Sequence, residues 1–293
     1  LSVHSVPTRR SSDLEKTFTV AVDAVNGAGS HALPRLLETL GVNVKRLYCE
    51  PNGIFPHNPE PLPEHLTEIC EYVVDNGCDL GFVTDPDADR LAVVDETGGL
   101  FGEEYTQVAA FDFMLEQKPG DTATNLSSSR AAEQITEKYG HFCHRSAVGE
   151  INVVKVMQKE NAVIAGEGNG GVINPDLHPG RDALVGAAMI LQLLANRDAK
   201  ASEYRATLPE FEMSKQKIEL DSLGVDADQL LEEVAKRFAE KNPNRTDGVK
   251  IDFDEGWVHF RKSNTEPIVR VYSEAPTGEQ ARELAHRIIS LVR

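Results

Sequence analysis

Hydrophobic positions alternate between strand-like and helix-like spacing along the chain from Thr17 onwards. Short apolar runs predict strands over residues 18–23, 42–48, 78–83 and 91–95. An amphipathic segment predicts a helix over residues 64–76, and helices are also predicted over residues 31–40 and 103–117. Strands that alternate with helices are typical of an α/β domain with a largely parallel sheet. We therefore expect residues 17–118 to form a first α/β domain.

The same alternation resumes after Pro119-Gly120, a dipeptide that predicts a domain boundary. Strands are predicted over residues 123–127, 141–148 and 162–165. Helices are predicted over residues 130–139, 151–159 and 183–195. These elements predict a second α/β domain over residues 119–205, and residues 196–209 are expected to be a polar connector.

The pattern changes in the last part of the chain. Strands are predicted over residues 216–220, 249–253, 257–261 and 268–272, and helices over residues 227–240 and 278–292. Two of the strands form a hairpin pattern in which Trp257, the only tryptophan, is expected to be a core residue. This part predicts an α+β domain over residues 206–293. The expected fold class is therefore α/β, with two consecutive mixed-sheet α/β domains followed by a C-terminal α+β domain.

Composition excludes two classes of partner. The 293 residues carry a net charge of −17, from 30 basic and 47 acidic side chains, whereas nucleic-acid-binding proteins normally present a basic surface. No apolar run approaches the ~20 residues that span a membrane. Four cysteines without CxxC spacing predict reduced thiols and a cytoplasmic protein. Residues 1–16 lack the apolar core of a signal peptide, so we expect an unstructured or foreign tail.

Three carboxylates stand at alternate positions after the strand predicted at residues 78–83, at Asp85, Asp87 and Asp89. Carboxylates this close repel one another unless a cation or hydrogen-bond donors share their charge. Alternate residues of an extended segment point the same way, so we expect all three to face one ion. Oxygen ligands suit a hard cation, and we favour Mg²⁺ with room for a phosphate oxygen.

Two other interpretations of this acidic loop remain open. Glu96 falls at position 12 counted from Asp85, as in an EF-hand, but Arg90 stands where that loop needs glycine. The flanking segments also resemble strands, whereas an EF-hand needs helices. The second alternative is a solvated acidic loop that holds no ion.

A glycine-rich loop, Gly166-Glu167-Gly168-Asn169-Gly170-Gly171, is the second candidate site. Glycines let the backbone approach a ligand closely. Glu167 and Asn169 supply a carboxylate and an amide, which hydrogen-bond vicinal hydroxyls. A flexible turn is the alternative. Arg181 and Asp182, at the start of the next predicted helix, either bind ligand or cap the helix.

A cluster of hydrogen-bond donors near the C-terminus is the third candidate site. Guanidinium groups bind phosphate through two hydrogen bonds, and hydroxyls and backbone N–H groups complete such a cradle. A solvated basic turn is the alternative. The loop runs from Arg261 to Pro267, and the side chains concerned are Arg261, Ser263, Asn264, Thr265 and Arg270.

The three loops in this order resemble those of the α-D-phosphohexomutase family, over about residues 17–293. The resemblance implies domains II, III and IV of that family and an enzyme that interconverts hexose 1- and 6-phosphates through a phosphoserine. It implies Mg²⁺ at Asp85, Asp87 and Asp89, with Arg90 near the phosphoserine. It also implies sugar hydroxyls at Glu167 and Asn169, and phosphate at the donors of the loop that begins at Arg261. Arg181 is a further candidate for substrate binding.

The chain departs from this family at the nucleophile. The family's serine lies in a Thr/Ser-His-Asn-Pro stretch of its first domain, and no such stretch occurs here. Some members have a catalytic histidine where this chain has Glu150, which either acts as the acid/base or only begins a helix. We therefore expect a mutase fragment that is inactive by itself. The alternative is a non-catalytic protein that binds sugar phosphates, or one half of a split mutase.

Overall fold

Three four-stranded sheets follow one another in the computed structural model, which describes residues 17–220, 226–263 and 266–291. The first two sheets are mixed and the third is antiparallel, which confirms the predicted fold class. The expected tail at residues 1–16 lies outside the described residues. Within them, every helix is too short or too polar to cross a lipid bilayer.

The first sheet lies between residues 19 and 95. Its elements are β1 (Thr19–Asp23), α1 (Gly29–Thr39), β2 (Asn43–Leu47), α2 (Thr67–Asp75), β3 (Leu80–Thr84) and β4 (Leu91–Asp95). The strand order is β2-β1-β3-β4, and only β4 runs antiparallel to its neighbour among these four strands. Every residue of β3 and β4 is buried, which explains their continuous apolar sequences.

The second sheet and the helices around it include one strand and one helix that the sequence does not predict. Its elements are α3 (Glu103–Gln117), β5 (Thr122–Asn125), α4 (Ala131–Lys138), β6 (Cys143–Ser146), α5 (Glu150–Glu160), β7 (Ile164–Glu167), β8 (Gly171–Ile173), α6 (Ala183–Arg197) and α7 (Ala201–Arg205). The strand order is β6-β5-β7-β8, with β8 antiparallel to β7. Strand β8 lies at the end of the glycine-rich loop, and α7 lies within the expected connector. Both elements are too short to give a periodic hydrophobic pattern.

The third sheet has its own hydrophobic core. Its elements are β9 (Glu212–Glu219), α8 (Ala227–Arg237), β10 (Val249–Asp252), β11 (Trp257–Lys262), β12 (Ile268–Ala275) and α9 (Gly278–Leu291). The strand order is β10-β11-β12-β9, with every pair antiparallel. Trp257 is fully buried, which confirms it as a core residue.

Helix α3 joins the first two sheets. Its residues 105–115 are all buried, and the helix contacts β4 of the first sheet and β7 and β8 of the second. A helix buried on all sides is expected where two layers pack against it. The apolar residues on one face of each sheet consequently form one core with α3. The Leu91 N–H donates to the Gly170 carbonyl at 3.0 Å, so the loops after β3 and β7 lie next to each other.

Candidate functional site

The acidic loop after β3 is a turn, so the extended geometry predicted from its alternating aspartates is wrong. Ala88 donates its backbone N–H to the Asp85 carbonyl at 3.1 Å and has a φ of +58°. Pro86 explains the difference, because proline favours the second position of a β-turn. One oxygen from each of Asp85, Asp87 and Asp89 still lies within 4.8 Å of the others.

Asp85 holds this turn together from the inside. Its buried carboxylate accepts hydrogen bonds from the backbone N–H groups of Asp89 and Arg90, both at 3.1 Å, and from Arg90 Nε at 2.6 Å. Burial opposes ionisation, but the hydrogen bonds from Arg90 prevail and lower the pKa of Asp85. The carboxylate therefore fixes both the loop and the Arg90 side chain.

Asp89 has the electrostatic properties of a cation ligand. Burial, together with the charges of Asp85 and Asp87, raises its pKa to about 6, although Arg181 acts in the opposite direction. Its Oδ1 atom is buried and has no hydrogen-bond partner. A buried carboxylate oxygen without a donor is costly unless a cation compensates it. The oxygen-only cluster, with this unpaired atom, fits a hard cation such as Mg²⁺.

Glu167 is the last residue of β7 and is buried, whereas the sequence places it in a loop. Its Oε1 atom accepts from Asn125 Nδ2 at 2.8 Å and from the Gly149 backbone N–H at 3.2 Å. Its Oε2 atom accepts from Arg181 Nη1 at 3.0 Å. The carboxylate is thus held in one orientation by three donors.

Arg181 joins the acidic loop to the glycine-rich loop. Its Nη2 atom pairs with Asp89, and its Nη1 atom pairs with Glu167. A Cβ atom at position 171 would lie 2.3 Å from Arg181 Cδ, so glycine is required there for the side chain to pass. Its neighbour Asp182 caps α6 by accepting from the N–H groups of residues 184 and 185. Of the two roles expected for this pair, Asp182 caps the helix and Arg181 faces the candidate site.

The two remaining polar candidates in this region are Glu150 and Asn169. Glu150, the first residue of α5, accepts from the Arg181 backbone N–H at 2.7 Å through Oε1. Its Oε2 atom lies 3.7 Å from Arg181 Nε, which is beyond hydrogen-bond distance. Asn169 is partly buried, and its Oδ1 atom accepts from the Gly171 N–H at 3.2 Å. Both residues therefore lie within the same group of loops as Glu167.

The third loop begins where β11 ends. Arg261 and Arg270 stand directly opposite each other on β11 and β12. Arg261 Nε donates to Asp247 Oδ2 at 2.8 Å, and Arg270 lies 3.9 Å from the Glu266 carboxylate. Ser263 is buried, and its N–H donates to the Ile268 carbonyl at 3.0 Å. The other two predicted donors, Asn264 and Thr265, lie outside the described residues.

Sequence reasoning missed three polar residues that support these loops. Asn125 donates to Glu167, and Asp247 accepts from Arg261. Glu104 lies behind the glycine-rich loop, where it accepts from the Ser129 N–H at 2.8 Å, and burial raises its pKa to about 8. Asn125 ends a strand and Asp247 precedes a glycine in a turn, so neither carries a signal beyond ordinary turn chemistry.

Models of one protein family match nearly the whole chain. They are described as the phosphoglucomutase/phosphomannomutase alpha/beta/alpha domain II, alpha/beta/alpha domain III and C-terminal domain. They match residues 3–99, 102–211 and 221–291. The three matches follow the order of the three sheets.

Curated relatives carry the names of mutases. A "Phosphoglucomutase/phosphomannomutase" of Thermococcus kodakarensis is 38% identical over 278 residues, which are 93% of this chain and 60% of that protein. A "Probable phosphoglucosamine mutase" of Methanopyrus kandleri is 34% identical over 94% of this chain and 61% of its own length. The chain thus spans about 60% of the length of these two relatives.

Solved structures share the fold. A phosphoglucomutase/phosphomannomutase family protein of Burkholderia thailandensis superposes with a TM-score of 0.83 at 24% identity, covering 96% of this chain and 62% of that one. An N-acetylphosphoglucosamine mutase of Aspergillus fumigatus, in complex with GlcNAc-6P and magnesium, gives a TM-score of 0.67 at 17% identity. That match covers 94% of this chain and 66% of the other.

Proposed function

Because the chain belongs to the phosphoglucomutase/phosphomannomutase family, we propose that it forms the cation-, hydroxyl- and phosphate-binding parts of a phosphohexomutase. Such an enzyme interconverts hexose 1-phosphate and 6-phosphate through a phosphoserine and a bisphosphorylated sugar. The observation that supports the proposal most is the sharing of Arg181 between Asp89 and Glu167. It places the acidic loop and the glycine-rich loop side by side, as one binding region for a sugar phosphate requires.

In this proposal Asp85, Asp87 and Asp89 hold Mg²⁺. When bound, the ion would neutralise charge on the phosphoryl group in transfer. Arg90 would add a positive charge next to it, because Asp85 fixes its Nε atom, while its Nη1 atom lies 3.7 Å from Glu60 Oε1. Phosphoryl transfer needs positioning and charge neutralisation more than covalent chemistry from these residues.

Glu167 and Asn169 would bind the sugar hydroxyls, and the third loop would bind the phosphate that is not being transferred. Arg261 and Arg270 support the second assignment, because they stand directly opposite each other on β11 and β12, and a guanidinium can bind phosphate through two hydrogen bonds. Ser263, Asn264 and Thr265 would supply the neutral donors. Glu150, close to Arg181, is the remaining candidate for an acid/base group.

The serine that carries the phosphoryl group lies outside residues 1–293 under this proposal. Two hydroxyls of the Ser127–Ser129 segment already have structural partners. Ser127 Oγ lies 2.9 Å from His259 Nδ1, and Ser128 Oγ accepts from the Gly168 N–H at 3.0 Å. Turnover then needs a serine-bearing segment in addition to this chain, and glucosamine, mannose and glucose phosphates are the substrates to compare.

The Asp87→Asn variant tests the cation site with little effect on folding. Asp87 is exposed, so its replacement should leave the melting temperature unchanged. Loss of one of three carboxylates should weaken Mg²⁺ binding about tenfold, which corresponds to roughly 1.4 kcal/mol. Isothermal titration of the 293-residue chain with MgCl₂ measures this. Asp75→Asn, at an exposed position on α2, is the control, and equal Mg²⁺ affinity in the two variants would place the ion elsewhere.

The Glu167→Gln variant tests the hydroxyl site. An amide would present a donor where the carboxylate accepts, so affinity for glucosamine 6-phosphate should fall by roughly 1–3 kcal/mol. Inorganic phosphate, which lacks the hydroxyls of a sugar, should bind as before. Calorimetric titration with both ligands makes the comparison, and thermal melting reports any loss of folding. Glu160→Gln, at the end of α5, is the control, and hexose phosphate affinity equal to the control would reject the assignment.

A further inference from the structure

Two consecutive backbone N–H groups connect the proposed hydroxyl and phosphate sites. Val148 donates to Asp247 Oδ2 at 2.9 Å, and Gly149 donates to Glu167 Oε1 at 3.2 Å. Asp247 belongs to the C-terminal part of the chain, and Glu167 ends β7. The turn formed by residues 148 and 149 therefore touches both sites through adjacent atoms of one short segment.

Asp247 is the link from this turn to the third loop. The same Oδ2 atom that accepts from Val148 also accepts from Arg261 Nε at 2.8 Å. That contact fixes the plane of the guanidinium, and its two terminal nitrogens make no hydrogen bond to the residues that the structure describes. Arg261 is thus oriented by a carboxylate that is itself tied to the second sheet.

The main chain of Asp247 is fixed from the other side by His259. Burial lowers the pKa of His259 to about 4, so the ring is neutral near pH 7. Because a carbonyl oxygen only accepts, His259 Nε2 donates to the Asp247 carbonyl at 2.6 Å. The other ring nitrogen, Nδ1, then accepts from the Ser127 hydroxyl at 2.9 Å. Asp247 is consequently held between the second and third sheets by both its side chain and its backbone.

Gly149 gives the turn its shape. Its φ of +112° lies in a region that residues with a side chain rarely adopt. A Cβ atom there would meet nothing closer than Asn152 Nδ2 at 3.7 Å, so the requirement for glycine is conformational and not steric crowding. A substitution at this position therefore changes the direction of the Gly149 N–H relative to that of Val148 without filling any space, while Asp247 remains held by His259.

We infer that the turn at residues 148 and 149 sets the spacing between the hydroxyl site and the phosphate site, with Asp247 as the positioning residue for Arg261. The inference rests on the proposed function and adds a basis for specificity. The site selects phosphate esters whose hydroxyls lie at a hexose-like distance from the phosphorus. A short ester such as glycerol 3-phosphate reaches the phosphate site but not Glu167.

Two variants distinguish an effect on the spacing between the hydroxyl and phosphate sites from an effect on phosphate binding alone. In Gly149→Ala the affinity for glucosamine 6-phosphate should fall about tenfold, while affinities for glycerol 3-phosphate and inorganic phosphate stay the same. In Asp247→Asn all three ligands should bind about fivefold to tenfold more weakly, because Arg261 loses its charged partner. A plain charge effect would act in the opposite direction, since removing a negative charge favours an anion. A decrease in phosphate affinity in Asp247→Asn would therefore show that Asp247 acts by positioning Arg261 and not through its charge.

Matched controls are available on the same chain. Gly140 has a φ of +77°, and a Cβ atom added there would meet nothing within 4 Å, so Gly140→Ala tests the effect of alanine at a positive-φ glycine away from the site. Asp254→Asn removes an exposed negative charge beside the third sheet. Both controls should bind all three ligands as the unsubstituted chain does, and thermal melting checks that every variant is folded.

Each outcome of these titrations is decisive. Gly149→Ala with unchanged hexose phosphate affinity, or with equal losses for all three ligands, would overturn the spacing role of the turn. Asp247→Asn with unchanged or increased phosphate affinity would overturn the positioning role of Asp247. If the unsubstituted chain bound glucosamine 6-phosphate no better than glycerol 3-phosphate, the proposed hydroxyl site itself would be rejected.

Discussion

Replacement of Arg181 with methionine is expected to lower the free energy of unfolding by about 2–4 kcal/mol, and Mg²⁺ is expected to restore part of it. The guanidinium lies among three carboxylates, those of Asp89, Glu167 and Glu150. Removing one partner of a buried ion pair leaves an uncompensated charge, which costs ~3–5 kcal/mol when burial is complete. The side chain of Arg181 is 17% exposed, so we expect a value toward the lower end.

The restoration by Mg²⁺ distinguishes this site from an ordinary ion pair. A divalent cation at Asp85, Asp87 and Asp89 would replace the positive charge that the Arg181→Met variant has lost, and a ligand that binds only the folded state stabilises it. Urea unfolding of the variant at pH 7 is measured without Mg²⁺ and with MgCl₂ at ten times the measured dissociation constant. At that concentration, binding to the folded state should add about 1.4 kcal/mol of stability. The two measurements test the loss of stability and its restoration by Mg²⁺. Arg46→Met removes an exposed ion pair with Glu38 and should change stability by less than about 1 kcal/mol. A loss at Arg181 no larger than this control would contradict the central role of its guanidinium.

The Asp85→Ala variant is expected to abolish Mg²⁺ binding and to destabilise the fold by about 2–4 kcal/mol. Three donors lose their acceptor at once, namely the N–H groups of residues 89 and 90 and Arg90 Nε. Each buried donor left unsatisfied costs ~1–3 kcal/mol, reduced here because the loop is at the surface and water can reach part of it. The turn that gathers the three aspartates then loses its internal support.

Comparison with Asp87→Asn separates the role of Asp85 in binding the cation from its role in stabilising the turn. Both variants remove a carboxylate from the cluster, but only Asp85 is buried, so only its loss should change the melting temperature. Calorimetric titration with MgCl₂ and thermal unfolding of the two variants give the required pair of measurements. Unchanged Mg²⁺ affinity in Asp85→Ala would show that this loop is not the cation site.

The sequence predicted those features that depend on neighbouring residues. The apolar runs at β3 and β4, the helix α3 and the buried Trp257 follow from local periodicity and composition. The aspartate cluster was also predictable, because its members are separated by single residues and any compact conformation keeps them close. The predicted shape of that loop was wrong, since the turn formed at Pro86 prevails over the extended alternation.

Only the tertiary structure decided which distant residues meet. Arg181 reaches Asp89 across 92 positions of the chain, and Asp247 meets Val148 across 99. Such contacts depend on helix α3 packing between two sheets and on the third sheet docking beside the second, and no local pattern encodes them. Sequence alone therefore determined the chemistry available in each loop. Long-range packing determined how those groups share charges and hydrogen bonds, because burial gives each carboxylate and guanidinium only the partners that the fold places beside it.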